Sequence, residues 1–167
     1  MKKIETPISN ETINDLKVGD KILISGIIFT GRDAVLPKLK EKIANDRLDE
    51  IPFDLKGSVI MHTAVSDAGI APTTSNKEEI ESSIPELAKA GVKIHIGKGS
   101  LSEETKLALN NENSIFVVTP PVAALITNSV KSKKVVAYEE EGIEAIFMLE
   151  VEDIPGIVAI AHGESIY

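Results

Sequence analysis

Arg32, Lys98 and the hydroxyl run Thr73-Thr74-Ser75 are the side chains in this sequence best suited to chemistry on a small anion. Arg32 follows Thr30-Gly31, and Lys98 stands between Gly97 and Gly99, so flexible backbone carries each cation. A guanidinium grips both oxygens of a planar carboxylate, whereas an ammonium supplies a compact point charge. Two such cations in one pocket suit a dicarboxylate, and a helix starting after Lys98-Gly99 adds its free amides. Each group also has a plainer use. Arg32 can pair with Asp33 or with a glutamate on a helix face, Lys98 can be a solvated loop charge, and the hydroxyl run can serve turns and caps. The three motifs are too short to be diagnostic singly.

Other chemistries are narrowed by composition. With no cysteine, the chain has no disulfide, no thiol nucleophile and no thiolate ligand for a metal or cluster. Its three histidines, His62, His95 and His162, lack the close spacing of a metal site and read as ordinary core or surface residues. The Glu139-Glu140-Glu141 run reads as a solvated turn and not as a catalytic pair.

The elements that must hold these groups follow from the apolar pattern. In 167 residues that are 43% hydrophobic but only 4% aromatic, the core is built from Ile, Val, Leu and Ala, which favours an α/β fold in one domain over residues 1–167. Strands are predicted at 21–29, 58–64, 92–96, 114–118, 134–138, 145–151 and 156–161. Helices are predicted at 33–45, with Pro37 tolerated in the first turn, at 84–90, from the Ser100 cap to about 110 and at 122–130. Serine-to-glutamate capping boxes at Ser75, Ser83 and Ser100 mark helix starts, Pro85 argues against one long helix, and Gly91 closes the helix before it. A central sheet flanked by helices results. Ligands of such sheets bind beyond the carboxyl ends of the strands, where Arg32, Thr73 to Ser75 and Lys98 all fall. The connection 65–83 is long and polar, and is expected to form part of a partner interface, ordering when that partner binds.

A formal charge of −8 without a basic stripe excludes nucleic acid and anionic membrane surfaces as expected partners. No apolar run approaches the roughly 20 residues of a membrane span. The opening Met-Lys-Lys-Ile-Glu-Thr-Pro has charge but no apolar segment behind it, so a cytoplasmic location is expected.

In order along the chain, KIETPI, LKVGDKILISGIIFTGRDA, IAPTTS, IGKGSLSEE and VVAYEEEGIEAIFMLEVEDIPGIVAI together resemble the small subunit of class I (iron-sulfur) fumarate hydratase. The same module is similar to the C-terminal domain of single-chain members and to the small subunit of L-tartrate dehydratase. The resemblance covers essentially the whole chain. It implies a swivelling β/α/β domain that closes over a large (alpha) subunit carrying a [4Fe-4S] cluster. It also implies a hydro-lyase, active only with that partner, which interconverts (S)-malate and fumarate as in the tricarboxylic acid cycle. Carried over by motif, Arg32 in TGRDA is similar to the family's carboxylate-binding arginine, and Lys98 in GKG to a second substrate-binding cation. Thr73 is similar to the threonine that takes part in proton removal from the substrate carbon, which requires an activating acid on the large subunit. Where the family has an arginine after the paired threonines, this chain has Lys77, which keeps the charge and loses the bidentate fork. Where the family has glycines, it has Pro120 and Pro121. Those departures keep two alternatives open: a tartrate dehydratase subunit, and a non-catalytic anion-binding or scaffold module. Self-association of the chain stays open as well.

Overall fold

A ring of hydrogen-bonded strands organises the chain, in a computed structural model that describes residues 1–66, 69–70, 77–120 and 123–167. Strands β1 (Lys2–Glu5), β2 (Lys21–Gly31), β3 (Val59–His62), β4 (Ile94–Gly97) and β5 (Ile115–Val118) lie parallel in that order, while β6 (Val130–Ala137), β7 (Ile146–Ala161) and β8 (Glu164–Ser165) join antiparallel. The 16-residue β7 pairs with β2 along one edge and with β5 and β6 along the other. The path β2–β3–β4–β5–β7 therefore returns to β2, so each of these five strands has a neighbour on both sides. Bulges between Ile24 and Gly26 and between Phe116 and Val117 supply the extra bend that closure requires.

Alternation along each strand then decides two cores. Ile22, Ile24, Val59, Met61, Ile94, Ile96, Ile115, Val117, Leu149 and Val158 point inward and form one cluster, into which Ile13 of α1 (Asn10–Asn14) and Ile126 of α5 (Ala123–Asn128) also pack. The intervening residues Phe29, Ile60, Phe116 and Ala159 point outward, under α2 (Leu36–Ala44), α3 (Lys77–Lys89) and α4 (Glu103–Asn111). Leu36, Leu39, Ile84, Leu87, Ala88 and Leu109 complete that outer layer. The α/β class with a flanked sheet is found, and α2, α3 and α4 share its outer face while the inner face closes on itself.

Several local expectations are corrected. Pro85 does not split the helix: α3 runs through it from Lys77 to Lys89. An interior proline costs ~3 kcal/mol. Ile84, Leu87 and Ala88 are buried around it, and at ~0.8 kcal/mol per buried CH₂ they outweigh that loss. Ser83 accordingly is no cap but a fully buried residue inside α3. The cap of α4 is Ser102, whose hydroxyl accepts from the Thr105 amide at 3.3 Å, two residues beyond the predicted Ser100. The proposed Ser75 cap lies outside the described residues, and so do positions 71–76 of the long connection, of which 77–83 turn out helical. Strands predicted separately at 145–151 and 156–161 are one strand, β7, since Pro155 and Gly156 continue its pairing with β2. Gly91 does end α3: at φ +117 it lets the Val92 amide return to the Leu87 carbonyl at 3.1 Å.

Candidate active site at the parallel strand ends

Register brings the two expected cations to one end of the ring. Gly31 of β2 faces His62 of β3, and Met61 faces Ile96 of β4, so the next row in the same register is Arg32, Thr63 and Lys98. Two interstrand spacings, roughly 10 Å, separate the backbones of Arg32 and Lys98. β5, parallel to β4, carries Thr119 to the same end, with its hydroxyl buried and without a hydrogen-bond partner among the described residues.

Arg32 leaves β2 at a turn in which its carbonyl accepts from the Val35 and Leu36 amides at 3.1 and 2.9 Å, leading directly into α2. Its side chain is only 18% exposed and donates from Nη2 to Glu144 Oε2 at 3.2 Å. Of the plain uses considered for Arg32, pairing with a glutamate is therefore realised, on a short 3₁₀ helix. Glu144 ends the 3₁₀ turn Glu139–Glu144, and its Oε1 accepts from the Ala34 amide at 3.4 Å. The bond from Arg32, with the cation's charge added, holds the Glu144 carboxyl below its ordinary range despite partial burial. Lys38 of α2 ties the same turn down, meeting Glu141 at 3.0 Å and Glu140 at 3.8 Å, with Nζ 4.9 Å from the Tyr138 ring centre. The acidic run is thus a turn with Glu139 and Glu140 exposed, as expected, and ion pairs to Lys38 tie it down.

Lys98 is exposed just beyond β4, consistent with either a solvated charge or a ligand arm. Thr73 lies outside the described residues, and of Lys77 only the backbone, at the start of α3, belongs to them. Pro121 is also outside them, while Pro120 is described and half-buried after Thr119.

Two features escaped sequence reasoning. His62 and His95, far apart in the chain, meet on adjacent strands with Nε2 and Nδ1 3.2 Å apart and no exposure, directly beneath the strand ends. Their outward positions on β3 and β4 follow from alternation, but the pairing needed the register. Glu144 carried a faint signal only, as one residue within the long block from Val135 to Ile160. His162 is structural: its Nε2 lies 3.1 and 2.9 Å from the Ile13 and Leu16 carbonyls at the end of α1.

An iron-sulfur cluster does not fit the residues of this chain. The sequence has no cysteine, and among the described residues no group of three His, Cys, Asp or Glu could hold a metal ion. No helix among them is long and apolar enough to cross a membrane.

Fold and register together define an α/β module whose parallel strands bring Arg32 and Lys98 to one end of the sheet. Residues 2–167 match the family described as Fumarase C-terminus, and the chain belongs to that family. It is 32% identical to the L(+)-tartrate dehydratase subunit beta of Escherichia coli K12, over 99% of this chain and 87% of that subunit. It is 28% identical to the aerobic class I fumarate hydratase of the same organism, over 89% of this chain and 28% of that enzyme. A Geobacillus stearothermophilus protein, provisionally named a fumarate hydratase class I, is 32% identical over 98% of this chain, which spans 33% of its length. The relatives are thus hydro-lyases or their subunits, and the chain spans about a third or less of the fumarate hydratases it matches.

Proposed function

We propose that this chain is the small subunit of a class I fumarate hydratase, dehydrating (S)-malate reversibly to fumarate only when joined to a large alpha subunit. The observation that carries the reading is the register row that aligns Arg32 and Lys98 at the ends of the two parallel strands flanking β3. In the proposal Arg32 grips one substrate carboxylate through two N–H donors, and Lys98 neutralises a second negative charge. Lys77 adds a cation at the start of α3. Thr73 takes part in removing the proton from the substrate carbon, its hydroxyl activated by an acid of the large subunit, since a threonine hydroxyl alone is a weak base. The [4Fe-4S] cluster belongs to the large subunit. The module acts as one domain, in the cytoplasm, and swivels over the partner's cluster-bearing face.

The test is an anaerobic assay of this chain alone, of the large subunit alone, and of the mixture. Turnover is expected only in the mixture, and Arg32→Ala is expected to lower it by more than about a hundredfold, the scale of losing a bidentate charged contact. Turnover by this chain alone overturns the shared site. An unchanged rate with Arg32→Ala favours the scaffold reading instead.

Likeness over 87% of the length of the Escherichia coli L(+)-tartrate dehydratase subunit beta supports a second reading, an L-tartrate dehydratase subunit. Comparing kcat/KM for (S)-malate and L-tartrate on the reconstituted pair decides between them.

A further inference from the structure

We infer that Glu144 is a positioning residue for Arg32, holding its guanidinium in the orientation that receives a substrate carboxylate. The inference rests on the reading above in which Arg32 binds that carboxylate.

Glu144 is fixed from several directions. Its Oε1 accepts from the Ala34 amide, two residues beyond Arg32, while its Oε2 accepts from Arg32 Nη2 at 3.2 Å. One carboxylate therefore clips the arginine side chain to the start of the segment leading into α2. The preceding carbonyl, of Ile143, accepts from the Val65 amide just beyond β3 at 2.9 Å, so the turn bridges the exits of two adjacent strands. Lys38 holds its other end through Glu140 and Glu141. Glu144 stays an anion at neutral pH, its carboxyl lowered by the Arg32 contact.

The geometry argues for a positioning task. The side chains of Arg32 and Glu144 are 18% and 28% exposed, so water and salt screen their attraction less than at an open surface and the pair holds one mutual geometry. A guanidinium presents its N–H donors in one rigid plane, so the bond to Glu144 restricts how the whole fork is turned toward a ligand. A long arginine side chain held in place before the ligand arrives loses less freedom on binding, which favours a lower KM.

The experiment uses the reconstituted two-subunit protein with (S)-malate and L-tartrate as probes. Glu144→Gln, which keeps the shape and removes the charge, is expected to raise KM by about tenfold with kcat lowered less than about threefold. In an Arg32→Lys background the same substitution is expected to change KM by less than about twofold, because the fork it positions is gone. An equal KM factor in both backgrounds, no KM change, or a KM lowered by Glu144→Gln each overturns the inference, the last showing competition with substrate. The underlying reading fails separately, if Arg32→Lys by itself leaves KM unchanged. Should Glu144→Gln fail to assemble, Lys38→Met releases the same turn without altering either member of the pair. It is then expected to raise KM by about threefold, and an unchanged KM overturns the inference.

Discussion

His62 Nε2 and His95 Nδ1 lie 3.2 Å apart on neighbouring parallel strands, both rings entirely buried between the sheet and its helices. One ring donates and the other accepts, an arrangement that needs at least one neutral ring at the contact. Burial pushes the His62 pKa down to about 4 and that of His95 well below its ordinary 6.5, the latter also through His62. The unfolded chain takes up these protons as pH falls below about 6.5, while the folded chain resists, so stability is full above 6.5 and declines toward pH 4. His62 alone accounts for a drop of on the order of 3 kcal/mol between pH 7 and 4, at ~1.4 kcal/mol per pH unit, and His95 adds to it in the same direction. Urea unfolding at pH 7.5, 6 and 5 measures it, and a His62→Gln/His95→Gln double variant is expected to flatten the dependence. Glu144 and Glu152, with carboxyls lowered by Arg32 and Lys131, act in a separate window below about 4.5.

Lys98 is exposed, so its removal is expected to leave the fold intact and, on the proposed function, to weaken substrate binding. Lys98→Met is expected to reduce kcat/KM of the reconstituted pair about tenfold to a hundredfold, the scale of one charge-assisted hydrogen bond. Its melting temperature stays within about 1 °C of the parent, surface changes being nearly neutral. Lys98→Arg restores part of the rate by keeping the charge.

Pro85 lies inside α3 and removes one rung of its ladder. Pro85→Ala regains that bond and relieves the ring clash, against a small gain in unfolded-chain freedom, for a net stabilisation of about 2 kcal/mol. In a chain of this length thermal unfolding should shift upward by about 4–8 °C. A lower midpoint would show that the proline sets a bend the outer core requires.

Gly91 holds φ +117, and a Cβ built there stands 2.8 Å from the Lys56 Cα. Gly91→Ala therefore combines a disfavoured backbone with a contact that cannot be relieved by rotating a side chain. It is expected to cost about 2–3 kcal/mol, read as an earlier urea midpoint with an unchanged slope.

Strands carrying β-branched runs, such as 21–29 and 114–118, were legible from the chain because alternation and apolar density act locally. Short elements with little pattern were not. β1 reads as the charged Lys2-Lys3-Ile4-Glu5, and it becomes a strand only through its parallel pairing with Ile22 to Ser25. The continuous α3 was missed for the opposite reason, a strong local rule at Pro85 being overridden by burial of its neighbours.

At the site, residue chemistry singled out Arg32 and Lys98, since a cation beside glycine at a strand end is visible in one dimension. Glu144 was invisible as the partner of Arg32, because the two are 112 positions apart and meet only when the acidic turn folds over β2 and α2. By itself the sequence determined the α/β class, the absence of thiolate ligands and the identity of the two cations, all consequences of composition and short-range pattern. Ring closure through β7, the His62–His95 contact and the orientation of Arg32 were decided by the tertiary structure, because each depends on register between strands that the chain order does not encode locally.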